Sequence, residues 1–117
     1  MEELRVDILT LFPGTVNALL HESILGRAVK KGILDIRCTQ IRDYTENRQC
    51  QVDDYPYGGG FGCVMMAQPL KSCLDAVRAD AGERRRRVIY LSPQGKPFRQ
   101  ETAKRLQRDY DHLVLVC

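Results

Sequence analysis

Arg5-Val6-Asp7-Ile8-Leu9-Thr10-Leu11-Phe12, cut off at once by Pro13-Gly14, is the stretch on which the fold class turns. Its β-branched and large apolar side chains, ended by two turn formers, read as a buried strand running into a turn. Val16, Leu19, Leu20, Ile24 and Ala28 then recur near the 3.6-residue period, which predicts one amphipathic helix, and Gly32 stands where a left-handed C-cap is wanted. A second strand follows over Ile33 to Ile41, with Leu34, Ile36 and Cys38 alternating against Asp35, Arg37 and Thr39.

The same alternation resumes further along. Val64-Met65-Met66 restores order, and Leu70, Cys73, Leu74 and Val77 fall at i, i+3, i+4 and i+7 on a helix begun by Pro69 and finished near Gly82. Val88-Ile89-Tyr90-Leu91 reads as another buried strand, broken at Ser92-Pro93-Gln94-Gly95. Ala103, Leu106 and Tyr110 mark a third helical face, and His112 to Val116 is a last, nearly continuous apolar strand. Strands alternating with helices predict an α/β domain with a parallel sheet and helices on both faces. Ligands of such sheets bind beyond the carboxyl ends of the strands. The last strand runs to Cys117 with no loop after it, so half of any site at that edge is expected to lie outside these residues.

Composition narrows the function classes without naming one. A chain of 117 residues, 44% hydrophobic and 28% charged, fits one domain and excludes collagenous and strongly disordered classes. A formal charge of +3 permits contact with RNA phosphates without demanding it. The dense basic run Arg84-Arg85-Arg86-Arg87 reads first as a solvated turn before a strand, with an RNA-contacting patch as the alternative. Five cysteines without a C-x-x-C pair, and His21 and His112 without ligand spacing, argue against a zinc site or a disulfide framework. Free thiols, an acidic Met1-Glu2-Glu3 opening and apolar runs far short of the ~20 residues of a membrane span predict a cytoplasmic protein with no membrane segment.

Three segments are candidates for chemistry. From Arg42 to Gly62 the hydrophobic period disappears, which is long for a loop inside a compact domain. At its centre stands Val52-Asp53-Asp54-Tyr55-Pro56-Tyr57-Gly58-Gly59-Gly60-Phe61-Gly62-Cys63. The glycines Gly58, Gly59, Gly60 and Gly62 allow close approach of another molecule, while the carboxylates, tyrosines and proline offer acceptors and stacking surfaces suited to a nucleobase. No Gly-Lys-Ser/Thr follows, and Cys63 occupies the place of the final glycine of a dinucleotide fingerprint, so neither phosphate-loop motif is met. The second candidate is Tyr90-Leu91-Ser92-Pro93-Gln94-Gly95, a strand exit whose backbone groups suit an adenine-like ring; a plain strand-to-helix turn is the alternative. The third is a basic set, Arg27, Lys30, Lys31, Arg42 and Arg48, open to phosphate contact or to simple solvation. No nucleophile–base constellation emerges from the spacing.

Together, Asp7-Ile8-Leu9-Thr10-Leu11-Phe12-Pro13, Arg42-Asp43-Tyr44-Thr45 with Val52-Asp53-Asp54-x-Pro56-Tyr57-Gly58-Gly59-Gly60-x-Gly62, and Leu91-Ser92-Pro93-Gln94-Gly95 resemble the bacterial tRNA (guanine-N1)-methyltransferases, the TrmD family of the SPOUT superfamily. The resemblance runs in order over essentially the whole sequence. It implies a trefoil-knotted donor site and methyl transfer from S-adenosylmethionine to N1 of guanine at tRNA position 37. It also implies a homodimer with active sites built from both subunits, and a requirement for Mg2+. Carried over by position, Tyr90, Leu91, Ser92, Pro93, Gln94 and Gly95 would wall the donor pocket. Asp53 and Gly58, Gly59, Gly60 and Gly62 would sit near the target guanine, and Arg27 would contact RNA. The family's general-base aspartate lies beyond the region matched by residue 117, as do the Gly-Arg-Tyr-Glu-Gly segment continuing the knot and the carboxyl-terminal tRNA-binding domain. Residues 1–117 are thus expected to be a truncated amino-terminal SPOUT domain with an incomplete knot, inactive alone. Three departures stand out: Gln49 where the family carries His, Cys63 where it carries Met, and Phe61 in place of a smaller residue. The first puts that histidine's role in doubt. A non-catalytic RNA- or nucleotide-binding module is the alternative reading.

Overall fold

A computed structural model describes residues 3–20, 22–45, 53–54, 64–65 and 67–117. The opening stretch forms strand β1 (Leu4–Thr10), and Pro13 begins helix α1 (Pro13–Leu20). The single helix expected over Val16 to Ala28 is in fact two, because a second helix, α2 (Ser23–Lys30), starts from an extended Glu22. Glu22 has ψ 150° and offers no side-chain cap, so the break rests on backbone conformation and leaves no mark in residue type. Gly32 takes φ +74°, the left-handed conformation expected of it, and turns the chain into β2 (Leu34–Gln40).

A short 3-10 turn (Ile41–Tyr44) leaves β2, and a two-residue pair of strands follows, β3 (Asp53–Asp54) and β4 (Val64–Met65). Helix α3 (Ala67–Ala81) ends at Gly82, which has φ +73°. Strand β5 (Arg86–Tyr90), helix α4 (Gln100–Asp109) and strand β6 (His112–Val116) complete the order.

The larger sheet runs β2-β1-β6-β5, and every neighbouring pair is parallel. The chain therefore steps from β1 to one side, crosses to the far edge at β5, and returns to fill the gap with β6. The expected parallel α/β architecture is borne out. Register assigns the faces. Leu9, Val114 and Val116 pack with Cys73 and Val77 of α3 and with Ile41, forming the core on one side. On the other side α1 shares a cleft with Ile36 and Cys38, Ala28 of α2 shares one with Leu4 and Leu34, and Leu106 of α4 shares one with Arg87 and Ile89.

Sequence reasoning makes β5 a buried strand, and here the structure corrects it. Val88 is 41% exposed, Tyr90 66% and Leu91 54%. Strand β5 forms the sheet edge, and among the described residues no element covers the face that carries Val88 and Tyr90.

The amino ends of the strands carry a buried polar cluster. Arg5 and Asp7 of β1 and His112 of β6 are all 4% exposed or less. Arg5 Nε donates to Asp7 Oδ2 at 2.8 Å, and its Nη2 reaches Asp80 Oδ2 of α3 at 2.7 Å. His112 Nε2 stands 2.6 Å from the same Asp7 Oδ2, and Arg86 Nε of β5 donates to His112 Nδ1 at 2.8 Å. Burial of such groups is tolerable only because each finds a partner.

Candidate functional site

At the opposite, carboxyl end the strand exits are tied to one another. The Leu91 amide donates to the Val116 carbonyl at 3.1 Å, and the Cys117 amide to the Leu9 carbonyl at 3.1 Å. Gln40 Nε2 donates to the Leu11 carbonyl at 3.0 Å, binding the exit of β2 to that of β1. All four exits are thus held in one row. The chain leaves β1 toward β2 while β6 lies on its other flank, so a topological switch point falls between β1 and β6, where open parallel sheets bind ligands.

The Tyr90–Gly95 segment leaves the edge strand β5, with β6 between it and that point. Ser92 organises the turn: its carbonyl accepts the Gly95 amide at 3.1 Å and its Oγ accepts the Gln94 amide at 3.2 Å. A Cβ at Gly95 would meet that carbonyl at 3.4 Å, an ordinary van der Waals contact. The turn and the start of α4 enclose an open cleft of about 750 Å3. Tyr90 borders it and Leu91 presents exposed apolar surface to it, while Arg87, Lys96, Arg99 and Arg105 line it without any carboxylate among the described residues. Such a cleft offers flat apolar contact to a base and a positive field to an anion.

A second cavity, about 520 Å3, opens at the amino ends of the strands between Ala28, Arg85 and Tyr110. It lies at the end of the sheet where parallel α/β folds do not place their substrates, and among the described residues neither Arg27 nor any of Tyr90–Gly95 lines it.

The glycine-rich segment is rooted in the core. The 3-10 turn before it contributes fully buried Ile41, and Tyr44 packs against the same cluster. Gln68 Nε2 of α3 donates to the Tyr44 carbonyl at 2.8 Å, so the two ends of the segment are pinned to each other. Asp53 pairs with Met65 and Asp54 with Val64 in antiparallel register. Gly58, Gly59, Gly60 and Gly62 lie outside the described residues.

Arg27 is not brought to the cleft. It is exposed in the last turn of α2, which leads into the amino end of edge strand β2, whereas the Tyr90–Gly95 turn leaves the opposite edge. Within the basic run, Arg86 departs from a solvated turn, because it is bonded to His112 and to the Gly82 carbonyl. Sequence reasoning missed the cluster of Arg5, Asp7, His112 and Arg86 altogether. The i, i+2 spacing of Arg5 and Asp7 on an otherwise apolar strand was the only local signal.

Parallel strands with helices on both faces and a structured turn at the outermost exit place the molecule among the open parallel α/β proteins. Comparison with known proteins gives the particular family. The profile of tRNA (guanine-1)-methyltransferase TrmD matches residues 4–117. A tRNA (guanine-N(1)-)-methyltransferase of Ruminiclostridium cellulolyticum is 45% identical over 114 residues, covering 97% of this chain and 48% of that protein. Its counterpart in Geobacillus kaustophilus is 46% identical over 114 residues, covering 97% and 46%. The crystal structure of tRNA (m1G37) methyltransferase from Aquifex aeolicus superposes with a TM-score of 0.86 at 28% identity, over 99% of this chain and 51% of that one. The chain belongs to the tRNA (guanine-1)-methyltransferase TrmD family. It spans about half the length of the curated relatives it matches.

Proposed function

We propose that the complete protein transfers the methyl group of S-adenosylmethionine to N1 of guanine at tRNA position 37, and that Tyr90–Gly95 forms one wall of its donor pocket. The observation that carries this reading is the coincidence of the family match with a structured turn at the carboxyl edge of a parallel sheet. The residues present fit the donor. Tyr90 and Leu91 supply apolar area for an adenine ring, and the turn is fixed by Ser92 before any ligand arrives. Bound there, the donor would supply an electrophilic methyl group. The cationic rim at Arg87, Lys96, Arg99 and Arg105 suits an RNA backbone.

Attack by guanine N1 needs its proton removed by a positioned base. Following the family pattern, we assign that base to an aspartate beyond residue 117 and keep Asp53, with the glycine segment, for contact with the target guanine. Arg27, far from the cleft of its own subunit, is assigned to RNA contact in a homodimeric assembly whose sites draw on both subunits. No cluster of three His, Cys, Asp or Glu suited to a metal occurs among the described residues, so no step is assigned to Mg2+ here. None of the described helices is long and apolar enough to cross a membrane, in keeping with action on tRNA in the cytoplasm.

The test is methylation of tRNA transcripts carrying guanine or adenine at position 37, with nucleosides resolved by mass spectrometry. N1-methylguanosine should form only on the guanine transcript, and Asp53→Ala should slow its formation while leaving donor affinity nearly unchanged. Absence of N1-methylguanosine from the complete protein contradicts the activity. An unaltered rate in Asp53→Ala contradicts the role given to that residue alone.

A further inference from the structure

The buried cluster at the amino ends fixes a protonation state. A guanidinium has only donors, so Arg86 Nε, 2.8 Å from His112 Nδ1, must find that nitrogen unprotonated. The ring proton of neutral His112 therefore sits on Nε2 and is donated to Asp7 Oδ2 at 2.6 Å. Asp7 is already paired with Arg5, which also holds Asp80 of α3, and Asp80 in turn receives Arg37 of β2 at 3.0 Å. The charged groups facing His112 are thus Asp7 and Arg5 from β1 and Arg86 from β5, with Asp80 and Arg37 one step behind Arg5.

A second proton on His112 can enter only at Nδ1. It would break the bond to Arg86 and leave two cations facing each other across the strand pair. Burial pushes the imidazole below its ordinary value of 6.5, against the opposing pull of Asp7. The neutral form's contribution is therefore complete above about pH 6.5 and is lost as pH falls through the lowered value.

Strand β5 is where that loss would be felt. It is a five-residue edge strand paired, among the described residues, only with β6, and its Val88 and Tyr90 side chains are exposed. Besides the bond to His112, Arg86 Nη2 donates to the Gly82 carbonyl at 2.7 Å, a bond that does not tie β5 to β6. Tyr90, its last residue, opens the turn that borders the cleft, roughly 13 Å along the strand from Arg86.

We propose that His112 is a positioning residue: as a neutral imidazole bridging Asp7 and Arg86 it clamps β5 to β6, and on gaining a proton from solvent it releases Arg86 and loosens the strand that carries the Tyr90–Gly95 turn. This rests on reading that turn as the donor wall. Methyl-donor affinity then depends on pH through a residue at the far end of the strand from the donor.

Two measurements on the complete protein test this. The first is nitrogen-15 NMR of the histidine rings, with His112 assigned by its disappearance in His112→Gln, alongside the amide signals of Val88, Ile89 and Tyr90. His112 should carry its proton on Nε2 at pH 7.5, and the three amides should shift with the same midpoint as its ring. A proton on Nδ1, or amides indifferent to its titration, overturns the proposal. The second is S-adenosylmethionine affinity at pH 7.5 and at a pH one unit below the midpoint of the His112 ring found by NMR. Wild type should weaken at least threefold at the lower pH. His112→Gln keeps a donor for Asp7 and an acceptor for Arg86, and should be flat with pH. His112→Lys, permanently charged, should be weak at both. Equal pH profiles for wild type and His112→Gln overturn the proposal, whether or not His112→Lys folds. If no donor binds at any pH while the β5 amides still follow His112, the donor-wall reading fails and the clamp stands.

Discussion

Asp7 is 1% exposed and shares a single oxygen between Arg5 and His112, so its removal leaves two buried donors facing nothing. Breaking a buried pair from one side costs about 3 kcal/mol or more. Asp7→Ala should lower unfolding free energy by roughly that amount in urea titration at pH 7.5, and a loss under about 1 kcal/mol would contradict the assignment. Cys73 makes a second case at this scale. It is wholly buried against the sheet, and burial pushes its thiol up to about 11. Only thiolate alkylates at a useful rate. Iodoacetamide at pH 8 should leave Cys73 intact in the native protein until global unfolding exposes it, as peptide mass mapping would report; early modification would mean that α3 does not sit on the sheet as described.

At the scale of elements, the alternation of period-2 and helical patterns was enough to lay out four of the parallel strands, and Gly32 was readable as a C-cap from residue type alone. Gly32→Ala forces a Cβ into φ +74° and should cost about 1 kcal/mol, measured as a shift of the urea midpoint with unchanged slope. No loss of stability would mean that the α2–β2 connection takes another conformation. Other features left no trace in pattern. The α1–α2 break falls inside an unbroken apolar period, because Glu22 is neither glycine nor proline and its side chain does not cap. The exposure of β5 was hidden because apolar content reports what a strand can bury, whereas edge position is decided by the crossover through α3. His112 and Asp7 stand 105 residues apart, and only parallel pairing of β1 with β6 brings them together.

The candidate site divides along the same line. Ser92-Pro93-Gln94-Gly95 was legible as a turn after a strand because its residue types bend the chain, and the structure has it as a turn at the exit of edge strand β5. The cationic rim was not legible, since Arg87, Lys96, Arg99 and Arg105 belong to a strand, a turn and a helix that converge only in the fold.

For the whole molecule, everything hinges on whether the carboxyl edge of this sheet receives the methyl donor. Residues 1–117 span about half the length of their relatives, and the cleft beside the turn is open in this half. These residues alone should bind S-adenosylmethionine weakly by calorimetry and transfer no methyl group; micromolar affinity would show that one wall suffices. The most direct measurement is amide hydrogen exchange of the complete protein with and without S-adenosylmethionine, resolved over the peptides spanning residues 86–99. Donor binding should slow exchange across Tyr90–Gly95 at least tenfold while leaving the α2–β2 connection unchanged. Protection that appears elsewhere, with Tyr90–Gly95 exchanging as freely as before, would contradict the placement of the donor at this edge.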